Sequence, residues 1–160
     1  FFISTQELLN MYPNLNAKER ENAICKEKKA VFLYQIGWPL TNGIPHDGRA
    51  ADYDDWNLNG DILVWYDELN VALELSSMGI RVDKISLLSQ TRYKKEEEKL
   101  YSPYARNIIS NELPLTIGGG IGQSRLCMFF LEKAHIGEVQ ASIWSDDDIR
   151  LLEEHNIHLL

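Results

Sequence analysis

The sequence predicts an α+β domain, a mainly antiparallel sheet flanked by helices. Three features carry that expectation. Two capping-box patterns, Ser4-Thr5-Gln6-Glu7 and Asn16 to Glu19, open helices. Two runs rich in branched and aromatic residues, Asp61–Tyr66 and Val71–Met78, flank the polar stretch Asp67–Asn70 and read as a hairpin. The glycine cluster near residue 120 lacks the parallel strand–helix–strand context and the later acidic residue of a dinucleotide fold.

The opening Phe1-Phe2-Ile3-Ser4 has no initiator Met, basic segment or cleavage signature, so it reads as a strand entered part-way along a longer chain. The first helix runs from Ser4 toward Pro13 and the second covers about residues 17–29. Ala30–Ile36 is a strand, and Pro39 with Asn42-Gly43 marks a turn. Residues 46–60 form a polar loop rich in carboxylates. The segment 83–112 is helical, with the charged run Lys94–Lys99 expected on a solvated face. Pro114–Ile117 is a short strand entering a glycine-rich turn, followed by a helix over about 122–134. Val139–Trp144 is a further strand, and Ser145 caps a last helix containing Ile149, Leu151 and Leu152.

Bulk properties narrow the function. At 160 residues the chain suffices for one domain with a real core. A net charge of −8 disfavours tracking a nucleic-acid backbone, which needs clustered Lys and Arg. No apolar run approaches the roughly 20 residues that span a bilayer. Cys25 and Cys127 stand in unrelated contexts, forming neither a disulfide framework nor a zinc site, and suit a reducing cytosol. His46, His135, His155 and His158 lack metal-ligand spacing and are expected to be structural or solvent-facing, with His46 the first candidate for an exception because it sits in the acidic loop. Cys127, between Leu126 and Met128, is expected to be a buried apolar residue.

Register brings the first chemistry. If Tyr66 pairs with Val71, then Leu63 faces Glu74 and Asp61 faces Ser76. Asp61 and Glu74 become diagonal neighbours on one face, with Cα atoms about 7–8 Å apart. Two carboxylates there need a positive partner. Mg²⁺ bridging a nucleotide phosphate suits them, because it takes one or two carboxylates and fills its shell with water and phosphate oxygens. Arg81 offers local neutralisation or a bidentate phosphate fork. An exposed polar hairpin face explains the same residues equally well. The second candidate element is Thr116 to Leu126: glycines admit close approach by a ligand, the following helix start offers free N–H groups, and Arg125 stands in its first turn. That guanidinium can stack on an adenine or contact a phosphate. Tight strand–helix packing with a solvent-facing Arg125 is the competing explanation.

Taken together, five segments closely resemble the ammonia-dependent asparagine synthetase (aspartate–ammonia ligase) family. They are His46–Trp56, Leu58–Trp65, Glu74–Val82, Thr116–Leu126 and His135–Ala141, in order and across essentially the whole chain. The resemblance implies a class II aminoacyl-tRNA synthetase/biotin ligase-like catalytic core, of which this chain is the C-terminal part. It implies that Arg125 matches the motif 3 arginine that holds ATP, and that Asp61 and Glu74 bind Mg²⁺ and nucleotide phosphate. Ile121 and Gly122 would line the ATP/AMP site. Gly118, Gly119, Gly120, Ser76, Ser77 and Arg81 would border the substrate. Arg49 and Asp54 would join Arg125 in catalysis, with Asp54 serving ammonia. Aspartate, ammonia and ATP would be substrates of a cytoplasmic homodimer, with neither nucleic acid nor membrane as partner. Two departures stand out. The family chain is about twice as long, its other half carrying the dimer element and the motif 2 strands, and the stretch from Trp56 to Leu58 is shorter than the family's usual loop. An aspartyl- or asparaginyl-type aminoacyl-tRNA synthetase core and a non-catalytic nucleotide- or amino-acid-binding fragment are the competing functions.

Overall fold

The computed structural model describes residues 1–160. Its centre is a five-stranded sheet in chain order: β1 (Phe2–Ser4), β2 (Ala30–Tyr34), β3 (Asp54–Tyr66), β4 (Val71–Arg81) and β5 (Ile117–Ile121). Only β1 and β2 run parallel, and the other three pairings are antiparallel, as expected. Between β1 and β2 come α1 (Thr5–Met11) and α2 (Ala17–Lys28). Each opens with a complete capping box, from Ser4–Glu7 and Asn16–Glu19, so orphan N–H groups are satisfied on both sides. These helices bury Leu8, Ile24 and Cys25 against Val31, Leu33 and Leu63 of the sheet. Each fully buried aliphatic of that kind contributes about 1.5–3 kcal/mol. Burial also pushes the Cys25 thiol up to about 12, which leaves it inert.

Several boundaries differ from the sequence expectation for local reasons. The carboxylate-rich loop ends early, since β3 already begins at Asp54. The helical segment after β4 breaks into α3 (Lys84–Lys94), a 3₁₀ turn (Glu97–Tyr101) and α4 (Pro103–Ile109). Lys95 adopts a left-handed conformation that ends α3, and Ser102 caps a helix starting on Pro103. Gly118, Gly119, Gly120 and Ile121 form strand rather than turn, because β4 offers β5 a full ladder from Ser76 to Ile80. The following helix, α5 (Gln123–Phe130), is shorter than expected and leaves Cys127 exposed, its inward position being taken by Met128. Residues 139–144 join no sheet. Trp144 packs edge-on to His135, with ring centroids 4.9 Å apart, and the last helix, α6 (Asp146–Glu154), follows from its Ser145 cap.

Asn59 links the fold to the site. It is buried, donates to Ile36 O at 2.8 Å and accepts from Ile36 N at 2.8 Å, replacing the strand ladder where β2 ends. Asn59→Ala leaves both backbone groups unpaired, and an unsatisfied buried group costs about 1–3 kcal/mol. We expect urea unfolding to show a loss of about 2–4 kcal/mol with an unchanged slope.

Candidate active site

The hairpin expected from the sequence forms, with one correction to its register. Tyr66 pairs with Val71 and Leu63 with Glu74, but Ile62 then pairs with Ser76 and Asp61 with Ser77. Leu75 is the extra residue of a β-bulge on β4. The bulge exchanges the two serines. Ser76 faces the side of Ile62 and Met78, and its hydroxyl donates to Gly120 O at 2.9 Å. Ser77 faces the side of Asp61 and lines a crevice of about 210 Å³ with Arg49, Tyr53 and Asp54. Because β3 alternates, Asp61 and Leu63 share that face, and so does Glu74 opposite Leu63.

A second interruption lies upstream. Asp54 pairs with Arg81 and the ladder resumes only at Asn59 with Gly79, so residues 55–58 bulge outward against Ile80 alone. Asp55 Oδ1 closes this bulge by accepting from Asn57 N at 2.8 Å. Asp54 is thereby turned over the sheet, where it forms an ion pair with Arg81. The same guanidinium lies 4.0 Å from the Tyr53 ring centroid and donates to the Tyr53 hydroxyl at 3.0 Å.

The glycines explain how these groups fit. Gly79 and Gly118 face each other across β4 and β5. A Cβ on Gly79 would stand 2.8 Å from Asp54 Cγ, and one on Gly118 would overlap Arg81 Nη2. The two glycines form a floor on which the Asp54–Arg81 pair lies. A Cβ on Gly119 would meet Met78 Cβ at 2.8 Å on the opposite face, whereas Gly120 has open space above it. These glycines are needed for close approach, since among the glycines positive φ occurs only at Gly37 and Gly43.

Arg49 reaches from the loop before β3 to pair with Asp61, which is 5% exposed. Asp61 Oδ1 and Arg49 Nε are both buried without partners. Arg125, in the first turn of α5, donates to Glu74 O at 3.1 Å and to Glu74 Oε1 at 3.3 Å. Ile121 and Gly122 line a neighbouring cleft of about 430 Å³ with Glu74, Arg125 and Gln140. The structure thus brings Asp54, Asp61, Ser77, Arg49, Arg81 and Gly118 close together, sets Glu74, Arg125, Ile121 and Gly122 beside them, and directs Ser76 to the other face. No group of three or more His, Cys, Asp or Glu side chains gathers into a metal cage. Two carboxylates on one face, one with an unpartnered buried oxygen, fit a cation that needs few protein ligands and takes the rest from phosphate and water.

The loop carrying Arg49 is anchored by a structural His46, in line with expectation, and by lysines expected to face solvent. His46 is buried with Nε2 3.0 Å from Glu21 Oε1 on α2. Burial pushes the Glu21 carboxyl up, but hydrogen bonds from His46 and Lys18 outweigh it and hold the group below its ordinary range. Lys94 Nζ donates to Arg49 O at 3.1 Å, and Lys99 Nζ bonds Asp52 at 2.9 Å. The charged run expected to face solvent therefore clamps the acidic loop, a complementarity of sign visible in the two segments. Trp56 is fully buried and packs edge-on against Trp38 and Tyr93, with centroids 4.8 and 6.0 Å away.

Comparisons with known proteins agree with one another. A family model described as "Aspartate-ammonia ligase" matches residues 1–156. The aspartate–ammonia ligase of Ruminiclostridium cellulolyticum is 61% identical over 160 residues, covering 100% of this chain and 48% of that protein. That of Ligilactobacillus salivarius is 60% identical, covering 99% of this chain and 48% of that protein. The chain thus spans about half the length of the curated relatives it matches. Among solved structures, asparaginyl-tRNA synthetase from Pyrococcus horikoshii superposes with a TM-score of 0.60 at 20% identity, covering 87% of this chain and 34% of that one. Aspartyl-tRNA synthetase from Entamoeba histolytica gives 0.58 at 17% identity, covering 88% and 30%. These two likenesses establish the class II synthetase fold.

The glycine floor can be tested by a matched pair of substitutions. Gly118→Ala forces the Arg81 guanidinium off Tyr53 and costs about 1–3 kcal/mol. Gly120→Ala meets nothing and leaves both unchanged. Nitrogen-15 spectra of the arginine side chains and denaturant unfolding should separate the two variants.

Proposed function

The chain belongs to the aspartate–ammonia ligase family, and from that premise we propose that its site joins ammonia to aspartate at the expense of ATP, yielding asparagine, AMP and pyrophosphate. The chain forms the C-terminal part of a single class II catalytic domain in this reading, and the whole enzyme is a cytoplasmic homodimer. No helix is long and apolar enough to cross a membrane.

One observation carries the reading. Three guanidiniums, Arg49, Arg81 and Arg125, are each held by a carboxylate, Asp61, Asp54 and Glu74, on or beside one face of the sheet. Such a face can turn its guanidiniums toward an anionic substrate and a triphosphate while the freed carboxylates take up ammonium and a divalent cation, so that no buried charge is left unpaired. A solved asparaginyl-tRNA synthetase of this fold, that of Pyrococcus horikoshii, is complexed with asparaginyl-adenylate, which supports an adenylate route.

The reaction then divides in two. A carboxylate resists nucleophiles because it is already negative, so it must first acquire a good leaving group. The aspartate β-carboxylate attacks the α-phosphorus of ATP, releasing pyrophosphate and giving β-aspartyl-AMP. Ammonia attacks the activated carbonyl and expels AMP. Arg125, beside Ile121 and Gly122, holds the nucleotide, and its planar fork suits both phosphate and adenine. Arg81 and Ser77, above Gly118 to Gly120, orient aspartate. Ser76, bound to the Gly120 carbonyl, braces β5 beneath that substrate. Asp54 binds ammonium and takes its proton as general base, while Arg49 offsets phosphate charge. Asp61 and Glu74 would hold Mg²⁺, which when bound neutralises phosphate oxygens.

The shared fold keeps an aminoacyl-tRNA synthetase core as the second reading. Net charge of −8 and relatives near 60% identity named as ligases weigh against it. Incubating the full-length enzyme with aspartate, ammonium, ATP and Mg²⁺ should yield asparagine and AMP; charged tRNA in place of free asparagine would overturn the assignment. Arg125→Ala should raise the KM for ATP and lower kcat together by at least about 100-fold, by analogy with loss of a group aimed at developing charge. Its thermal midpoint should move little, because the side chain is 48% exposed. Wild-type kinetics in that variant would remove Arg125 from the nucleotide site.

A further inference from the structure

Gln90 lies on the inner side of α3 with 0% of its surface exposed. A buried primary amide needs partners at both ends, and this one has them. Its Oε1 accepts from Trp56 N at 2.9 Å, and its Nε2 donates to Ala51 O at 3.0 Å and to Asp54 O at 3.1 Å. All three backbone groups belong to the stretch leading into the β3 bulge, where the ladder to β4 is interrupted between Asp54 and Asn59. One side chain from a separate helix thus supplies hydrogen bonds where the sheet cannot. One turn further along α3, Lys94 holds Arg49 O.

We propose that Gln90 is a positioning residue for Asp54: its amide fixes the Ala51–Trp56 backbone so that the Asp54 carboxylate is presented to Arg81 over Gly79 and Gly118. Asp54 is held by its backbone on one side and by Arg81 on the other, and the arginine must turn toward substrate when substrate arrives. During that exchange the backbone restrains the carboxylate, and Gln90 is the side chain that grips this backbone at three points, one of them Asp54 O itself, while Asp55 and the Trp56 indole each hold it at one point nearby. A hydrophobic residue of the same size would fill the space and still leave the segment free to shift. A displacement of about 1 Å at a reacting group can cost on the order of 100-fold in rate. The inference rests on reading this face as the ligation site, and adds a residue from outside it.

The test uses the full-length enzyme with Gln90→Met, which keeps volume and loses every hydrogen bond, and Gln90→Glu, which keeps the acceptor for Trp56 N and loses both donors. In Gln90→Met, hydrogen exchange at the Trp56 amide should accelerate at least about 10-fold while the Leu63–Tyr66 ladder stays protected. Gln90→Glu should retain Trp56 protection. In both variants kcat/KM for ammonia should fall at least about 10-fold with the KM for ATP within about twofold. Unchanged ammonia kinetics in a folded variant would overturn the proposal, as would parallel losses for ammonia and ATP that track thermal stability. A wild-type enzyme that makes no asparagine would instead defeat the reading of the site, and Trp56 exchange would still report whether Gln90 grips the bulge.

Discussion

The arrangement depends on an ion pair lying flat on glycine. Arg81 and Asp54 can meet above the sheet only because Gly79 and Gly118, opposite each other on adjacent strands, offer no side chains. Largely buried pairs of this kind contribute little net stability, because the cost of desolvating both groups offsets their attraction. Their value lies in charge: each half of the pair is already desolvated, oriented and neutralised before any ligand arrives. Arg49 with Asp61 and Arg125 with Glu74 repeat the device at neighbouring positions, so the face is charged in detail and close to neutral in sum.

Irregularity in the sheet aims these groups. A perfectly paired hairpin would turn Ser76 toward Asp61, whereas the bulge at Leu75 presents Ser77 instead. The wider bulge at residues 55–58 carries Asp54 over the sheet. Each departure needs support from elsewhere. Gln90 holds the wide bulge, Asn59 bonds Ile36 where β2 ends, and Ser76 ties β4 to Gly120. Much of the buried polar chemistry of this chain serves to hold backbone that the ladder has released.

The sequence revealed what is local and periodic. Capping boxes at Ser4 and Asn16 marked helix starts because their signal lies within four residues. The hairpin turn was readable for the same reason, and with it the pairing of Leu63 and Glu74. What it concealed depends on partners distant in the chain. Gly118 to Gly120 looked like a turn because nothing local says that β4 lies alongside. The bulge at Leu75 has no marker in the residues around it. Lys94 and Lys99 read as a solvated run, since their partners Arg49 and Asp52 lie more than forty residues away. Gln90 carries no local signal, because a polar residue between Ser89 and Thr91 looks like any surface glutamine until its burial is seen.

β5 closes the sheet on one side with the sequence Ile-Gly-Gly-Gly-Ile, and β4 occupies only one of its edges. Ile117 and Ile121 are both well exposed, and the strand holds no lysine, proline or inward charge to discourage another strand from adding there. The flatness that lets a guanidinium rest on Gly118 leaves the second edge of β5 without side chains that would turn a further strand away, in a chain that spans about half the length of its relatives. The same five residues thus serve an edge and a face at once: a charge or proline placed along that edge would roughen the surface on which Arg81 lies.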